Sequence, residues 1–303
     1  MALVLLNPHA QGGRARRLLP ALKETLESLT PIARLQSPES PEEALDVLMR
    51  EPDGARVVVI GGDGTFNRWL PALLVRRFSI GLVPAGSGND LARALGLNRR
   101  DWRQALSDAL HGRPRAMDTG LALWSDTRGD AHRTPFASSL TCGFDSAVGL
   151  RALQGPPWLR GLPRYLWATL CEWRHLRHWS VQGQADGQPM PPGPMLFTSV
   201  LNTPTYGSGL PVAPQACTDD GRLHWVRAGP FGPLATLRML PSLMTGAHLQ
   251  HPLVQTGACE KLELLGHDEL PLAADGEWLG LACRLQVSVQ PASLHIVQPE
   301  RKR

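Results

Sequence analysis

The sequence predicts an α/β domain with a parallel sheet at residues 1–121, followed by a mainly antiparallel β-sandwich domain at residues 122–290. Strands and helices alternate in the first part, which is typical of a parallel sheet with right-handed crossovers. Short β-like runs between turn residues fill the second part. A length of 303 residues accommodates two ordinary domains. We expect the tail at residues 291–303 to pack back on the first domain.

Apolar runs and helical spacing define the elements of the first part. Ser40-Pro41 with Glu43 has the pattern of a capped helix start. The predicted strands are Ala2–Leu6, Ile32–Leu35, Val57–Ile60 and Ile80–Val83. The predicted helices are a first one with Arg14, Arg16 and Arg17 in its opening turns and apolar positions from Leu18 to Leu29, a second from Pro41 to about Met49, and a third from about Asn67 to Val75.

The second part contains β-like runs with one helix between them. The predicted strands are Phe136–Thr141, Met195–Leu201, Leu223–Val226, Leu262–Leu265 and Leu285–Val289. A helix is predicted from about Leu162 to Trp179, because its apolar residues recur at helical spacing.

The composition indicates a globular cytoplasmic protein. It is 43% hydrophobic and 19% charged, with a modest net charge of +4. The five cysteines are widely separated and have no Cys-x-x-Cys spacing, so we expect reduced thiols rather than zinc or redox chemistry. No apolar run approaches the ~20 residues of a membrane span, and no signal peptide is expected. No nucleic-acid partner is expected either.

Glycine-rich turns follow three of the predicted strands, at Asn7–Gly13, Gly61–Gly64 and Ala85–Asn89. The carboxyl ends of parallel strands meet at one edge of a sheet, where ligands bind. Backbone N–H groups at helix N-termini favour anions there. The convergence of three turns therefore indicates a phosphate-binding edge. A Walker P-loop and a Gly-x-Gly-x-x-Gly fingerprint after the first strand are both absent, which argues against P-loop enzymes and Rossmann dehydrogenases.

Two acidic clusters in the second part are candidates for phosphoryl-transfer chemistry: Asp219-Asp220-Gly221 and Asp275-Gly276-Glu277. Such chemistry needs a carboxylate to accept the proton of the attacking hydroxyl and carboxylates that hold a divalent metal. The alternative is that each Asp-Gly pair simply forms a turn.

An ordered set of motifs resembles the diacylglycerol kinase catalytic domain family, in its soluble bacterial lipid kinase form. The set extends over almost the whole chain. It consists of Asn7-Pro8 with Gly12-Gly13, Gly61–Asn67, Pro84–Arg93, Cys142–Asp145, Asn202 with Tyr206–Gly209, Ala213-Pro214, Asp220-Gly221 and Asp275–Glu277.

The resemblance implies an NAD kinase/diacylglycerol kinase-like fold and an ATP- and Mg²⁺-dependent lipid kinase. Glu277 resembles the general base, and Asp275 beside it would hold a catalytic magnesium or the nucleophile. Asp118 resembles an acidic residue that joins them at the cleft between the domains. Asp220 with carbonyls near Cys217 and Arg222 corresponds to a structural magnesium site. The ATP site implied by the resemblance comprises Asn7, Ser37, Gly61, Gly62, Asp63, Gly64, Thr65, Asn67, Gly86, Ser87 and Asn89.

Two alternatives stay open. An NAD kinase shares the Gly-Gly-Asp-Gly type of loop, and a catalytically inactive lipid- or nucleotide-binding regulator is kept open by Arg68, which stands where the family usually has Glu. Ser87 replaces the common Thr and keeps the hydroxyl. The lipid could be diacylglycerol, phosphatidylglycerol, monoacylglycerol or a sphingoid base, and homodimerisation is left open.

The helix from Leu162 is the candidate contact with the inner membrane face, since Trp158, Trp167 and Trp179 are interleaved with arginines. The alternative is a helix that packs on the sandwich, with ordinary solvated arginines.

Overall fold

The protein is described here by a computed structural model that covers residues 2–10, 12–29, 33–86, 88–97, 101–159 and 162–299, without the side chains of Leu162 and Leu240. These residues form two compact units. The first contains the chain up to Asp118 and again from Pro291, and the second is Thr119–Gln290. No helix in the described ranges is long and apolar enough to span a membrane.

The first unit is built on a parallel sheet. Its strands are β1 (Ala2–Leu6), β2 (Arg34–Gln36), β3 (Arg56–Gly61) and β4 (Ser79–Pro84). They lie in the order β2-β1-β3-β4, and a C-terminal segment pairs in parallel with β4 at His295 and Ile296. Val57–Ile60 are at most 2% exposed. Burial on both faces explains why this strand is a continuous β-branched run.

Five helices flank this sheet: α1 (Leu19–Leu29), α2 (Pro41–Met49), α3 (Asp63–Val75), α4 (Asp90–Ala94) and α5 (Trp102–His111). The predicted cap of α2 is present, because the Ser40 hydroxyl accepts a hydrogen bond from the Glu43 N–H at 3.2 Å. Leu22 and Leu26 of α1 pack in the same apolar cluster as Val58 and Ile60 of β3. The helices thereby fix the strand ends from which the loops emerge.

The second unit is built mainly from antiparallel strand pairs. Its strands are β5 (Arg113–Ser125), β6 (Ala131–Phe136), β7 (Ser139–Gly143), β8 (Trp179–Ala185), β9 (Gln188–Pro189), β10 (Gly193–Met195), β11 (Phe197–Leu201), β12 (Leu223–Ala228), β13 (Val254–Cys259), β14 (Lys261–Ala274) and β15 (Glu277–Gln298). The chain passes between the units within β5 and within β15.

Strand β14 changes partner along its length. Its first half pairs with β8 and its last residues pair with β7, with a register shift between Leu265 and Leu270. The helices that accompany the sandwich include α6 (Phe144–Leu153), α7 (Leu162–Arg174) and α8 (Pro233–Thr245), and a short 3-10 helix follows at Ala247–Gln250. Trp173 of α7 donates from its indole nitrogen to the Pro233 carbonyl at 2.8 Å, which joins α7 to α8.

The predicted fold class is confirmed, while several boundaries differ. Helix α3 begins at Asp63 instead of Asn67, because Gly62 is its N-cap and Asp63 occupies the favourable first turn. Helix α7 ends at Arg174, since Trp179 already pairs in β8. The predicted strand Phe136–Thr141 is two strands, β6 and β7. The second strand is shifted to Arg34–Gln36, and Ile32 lies outside the described residues.

Candidate functional site

The loops after β1, β3 and β4 emerge at one edge of the parallel sheet, because these strands are parallel neighbours. Asn7 ties the first two loops together. Its Nδ2 donates to the Thr65 hydroxyl at 2.7 Å, and its Oδ1 accepts from the His9 N–H at 2.9 Å. Gly64, Thr65 and Asn67 lie in the first turns of α3. The edge of the sheet at which phosphate binding was predicted is therefore formed by the loop after β1 and the N-terminus of α3.

Two glycines bring the second and third loops into backbone contact. A Cβ atom on Gly62 would lie 2.8 Å from the Cα of Gly86, and a Cβ on Gly86 would lie 2.6 Å from the Cα of Gly62. No side chain fits at either position without a shift of backbone. Asn89 closes the third loop, since its Oδ1 accepts from the Gly86 N–H and its Nδ2 donates to the Gly86 carbonyl, both at 2.9 Å.

The Asp63 carboxylate joins the same two loops. It accepts hydrogen bonds from the backbone N–H groups of Asp90 at 3.0 Å and Leu91 at 3.3 Å. These N–H groups belong to the first residues of α4. N–H groups at the start of a helix have no carbonyl partner within the helix, so they need an acceptor such as this carboxylate. Asp63 therefore caps a helix that follows a different strand. Sequence reasoning predicted a contact with ATP for Asp63 and did not foresee this capping role.

A small cleft that opens to solvent lies beside this contact. It is lined by Gly61, Gly62, Asp63 and Asn89, with Phe66 and Leu91 as apolar walls. Among the other predicted ATP-site residues, Ser37 has a buried hydroxyl with no hydrogen-bond partner in the described part of the chain. Ser87 lies outside the described residues.

In the second unit, Asp275 and Gly276 form a two-residue hairpin between β14 and β15. Both have positive φ, +47° and +83°, as in a type I′ turn. The Asp275 carboxylate accepts from the backbone N–H groups of Ala137 (2.8 Å), Ser138 (2.8 Å) and Ser139 (2.9 Å). These bonds hold the segment between β6 and β7, which explains why the predicted single strand is divided.

The other two predicted catalytic acids have different surroundings. Glu277 opens β15 opposite Ala274 and is partly exposed. Asp118 belongs to the first unit and is only 4% exposed. Its Oδ1 accepts from the Ala292 N–H at 2.8 Å, where Ala292 has φ +49°. Asp118 thus binds the backbone of the C-terminal segment close to Pro291, where that segment re-enters the first unit.

The predicted magnesium site lies in a turn before β12. Asp220 accepts from the Arg222 N–H at 3.0 Å through Oδ1, and its Oδ2 is 3.1 Å from Nε2 of His224. The Cys217 thiol donates to Asp219 at 3.0 Å. In the described ranges no three His, Cys, Asp or Glu side chains gather as metal ligands. A set of one carboxylate, backbone carbonyls and waters fits a hard cation such as Mg²⁺.

Asp145 is an acid of the second unit to which sequence reasoning assigned no role. It lies in the first turn of α6, accepts a short hydrogen bond from the Tyr206 hydroxyl, and is 3.5 Å from the Ser199 hydroxyl. Burial raises the pKa of Asp145 to about 6, and burial together with Asp145 raises the pKa of Tyr206. In the sequence, the motif Gly143-Phe144-Asp145 contributes to the family resemblance, but it assigns no chemical role to Asp145.

The capping role of Asp63 leads to a prediction. Asp63→Ala leaves two N–H groups of α4 without their acceptor, so we expect a loss of about 1–2 kcal/mol in the free energy of unfolding. Asp63→Asn keeps one acceptor and should lose less. Denaturant unfolding of both variants measures the effect, with exposed Asp46→Ala as the control. A stability of Asp63→Ala equal to that of the control would contradict the capping role.

Two family descriptions match this chain. The diacylglycerol kinase catalytic domain matches residues 1–122, and the YegS C-terminal NAD kinase beta sandwich-like domain matches residues 138–298. A diacylglycerol kinase of Mycobacterium tuberculosis (strain ATCC 25618 / H37Rv) is 32% identical over 248 residues, which cover 80% of this chain and 76% of that protein. A diacylglycerol kinase of Bacillus subtilis (strain 168) is 24% identical, covering 86% and 82%.

Solved structures share the fold. A diacylglycerol kinase from Bacillus anthracis str. Sterne aligns with a TM-score of 0.71 at 15% identity, covering 99% of this chain and 97% of that chain. An NAD kinase from Archaeoglobus fulgidus in complex with ATP aligns with a TM-score of 0.54 at 12% identity, covering 99% and 95%. The chain therefore belongs to the diacylglycerol kinase catalytic domain family, with a YegS-type C-terminal domain, and is a lipid kinase.

Proposed function

We propose that this lipid kinase transfers the γ-phosphoryl group of ATP to a primary hydroxyl of diacylglycerol or a related lipid, with Mg²⁺. The backbone contact between Gly62 and Gly86 is the observation that carries the nucleotide half of the proposal. The two glycines present bare backbone after two neighbouring parallel strands, one of them at the N-cap of α3, and such an edge suits phosphate groups. The buried, unpartnered hydroxyl of Ser37 offers a further donor to a bound nucleotide.

Glu277 is the proposed general base that accepts the proton of the lipid hydroxyl. Asp275, two residues earlier, already accepts three backbone hydrogen bonds from the segment between β6 and β7. Asp275 and Asp118 are proposed to position the backbone segments that each of them binds. Transfer would depend mainly on positioning and on neutralisation of phosphate charge.

Magnesium has two proposed places. Asp220, with the carbonyls near Cys217 and Arg222, would hold a structural ion, which would displace His224 from Oδ2 of Asp220. A second ion, held with the help of Asp275, would neutralise the phosphate oxygens of ATP. The remaining steps depend on the protein's own groups: backbone N–H donors bind phosphate, and Glu277 takes the proton from the lipid.

The role of Glu277 is tested by Glu277→Gln. The amide has nearly the same size but cannot accept the proton, so turnover should fall by at least ~10²-fold while the affinity for ATP stays within about twofold. Exposed Glu260→Gln, on the loop before β14, is the matched control and should keep wild-type turnover. Full activity in Glu277→Gln would eliminate Glu277 as the base.

Lipid extract incubated with γ-labelled ATP and separated by thin-layer chromatography tests the reaction itself. A labelled phospholipid supports the proposal. Labelled NADP, formed when NAD is added, would instead support an NAD kinase, whose fold this chain resembles. The absence of any labelled product would favour a binding protein without activity and would overturn the proposal.

We also propose that α7 meets the lipid at the inner membrane surface. Trp158 is 77% exposed, and Leu166 and Leu170 of α7 are each 52% exposed. Residues 144–179 contain five arginines and two acidic residues, which suits an anionic surface. Two of the three tryptophans predicted at this surface are not available, because Trp167 packs against the core and Trp179 is buried.

Vesicle flotation tests this surface. Arg174 and Arg177 are exposed, whereas Arg164 donates to the carbonyls of Leu159 and Pro156 and holds a turn. Arg174→Glu with Arg177→Glu should therefore abolish flotation with anionic vesicles at low salt. The matched control, Arg128→Glu with Arg133→Glu on the β5–β6 hairpin, should float like the wild type. Equal flotation of the two variants would exclude this surface.

A further inference from the structure

Residues 137–139, which run from the end of β6 into the first residue of β7, form a short buried segment that we call the 137–139 strap. Ala137 and Ser138 are 1% and 6% exposed. The N–H groups of all three residues donate to the Asp275 carboxylate, and the Asp275 N–H donates to the Ser139 carbonyl at 2.8 Å. Because the strap is buried, its remaining carbonyls need donors from the protein.

Asn202 supplies those donors. It directly follows the last residue of β11, and its backbone N–H donates to the Ser138 carbonyl at 2.8 Å. Its side chain donates from Nδ2 to the Ala137 carbonyl at 3.0 Å. One residue therefore binds two consecutive carbonyls, and the three N–H groups and three carbonyls of the 137–139 strap all have partners.

The amide group is what makes Asn202 suitable for this contact. A carbonyl only accepts hydrogen bonds, so the side chain must present a donor to Ala137, and an aspartate of the same shape would present none when charged. Asn202 is 0% exposed, so water does not replace a lost donor readily. The neighbouring Thr203 hydroxyl makes a longer contact, 3.4 Å from the Ser138 carbonyl.

The 137–139 strap is connected to the proposed base through the hairpin turn at Asp275 and Gly276. Glu277 lies directly after this two-residue turn, opposite Ala274. Asp275 has φ +47°, a conformation that a residue other than glycine adopts at a cost. Its hydrogen bonds to the strap offset that cost. The position of the strap therefore determines the backbone position of the turn and of Glu277.

We propose that Asn202 is a positioning residue for phosphoryl transfer: its amide holds the carbonyls of the 137–139 strap, whose N–H groups hold the turn that precedes Glu277. The inference rests on the proposed function, in which Glu277 is the base. Asn202 contacts neither nucleotide nor lipid in this role. Its loss should therefore lower turnover without weakening the binding of ATP.

Steady-state kinetics with labelled ATP and lipid extract test the role in turnover. Asn202→Ala removes the Nδ2 donor and keeps the backbone N–H of residue 202. We expect kcat to fall at least ~10-fold, because displacement of a catalytic group by an ångström costs on the order of 100-fold. KM for ATP should stay within about twofold of the wild-type value.

Ser146→Ala is the matched control. The Ser146 side chain is 1% exposed and donates to the Thr141 carbonyl at 2.7 Å, so this variant also loses a buried bond to a carbonyl, but outside the strap. It should keep the wild-type kcat. Equal kcat values for Asn202→Ala and Ser146→Ala would overturn the proposal.

Hydrogen exchange of the 137–139 strap tests the contact without any assay of activity. In the wild type its N–H groups should be protected, since each donates to Asp275. In Asn202→Ala they should exchange about tenfold faster, which corresponds to ~1.4 kcal/mol of lost protection, whereas Ser146→Ala should exchange like the wild type. Unchanged exchange in Asn202→Ala would overturn the proposal, and so would faster exchange with an unchanged kcat.

Thr203→Val provides a second variant if Asn202→Ala does not fold. It nearly keeps the volume of the side chain and removes the hydroxyl next to the Ser138 carbonyl. Because that contact is long, kcat should fall and strap exchange should rise by only about two- to threefold. Wild-type values of both quantities would then count against the proposal.

The two proposals fail in different ways. If Glu277→Gln keeps full activity, the proposed base is wrong, and hydrogen exchange still decides whether Asn202 holds the strap. If Glu277→Gln is inactive while Asn202→Ala has wild-type kcat and wild-type exchange, only the positioning role of Asn202 fails.

Discussion

The contact between Gly62 and Gly86 is the constraint on which the first unit's site depends. Two loops that follow neighbouring parallel strands meet backbone to backbone, and Cβ atoms at these positions would come within 2.6–2.8 Å of the opposing Cα atoms. Asp63 and Asn89 then fix the same loops through backbone hydrogen bonds. The glycines are therefore needed for packing between the loops.

Three acids that sequence reasoning assigned to ATP or to catalysis hold backbone segments in this fold. Asp63 caps α4, Asp118 fastens the returning C-terminal segment, and Asp275 binds three consecutive N–H groups between β6 and β7. Because these carboxylates are engaged with backbone N–H groups, they are suited to positioning segments of the fold. Glu277 is the acid that we propose as the base.

The strands and helices that could be predicted are those whose residues form a recognisable pattern over a short stretch of sequence. The buried run Val57–Ile60 and the capped helix start at Ser40 were found close to where they were expected. Helix α8 was missed because Pro233 and Pro241 interrupt its pattern, although the first proline suits a helix start and the second is tolerated. Long-range partners, such as Asp275 with residues 137–139, leave no local signal in a single sequence.

The central claim is that backbone contact between two glycine loops creates the nucleotide site. The most direct measurement is the ATP affinity of Gly86→Ala, compared with Gly149→Ala in α6, where a Cβ would have open space. We predict that Gly86→Ala weakens ATP binding at least tenfold, a change of about 1.4 kcal/mol, while Gly149→Ala binds like the wild type. A folded Gly86→Ala protein with unchanged ATP affinity would contradict the account.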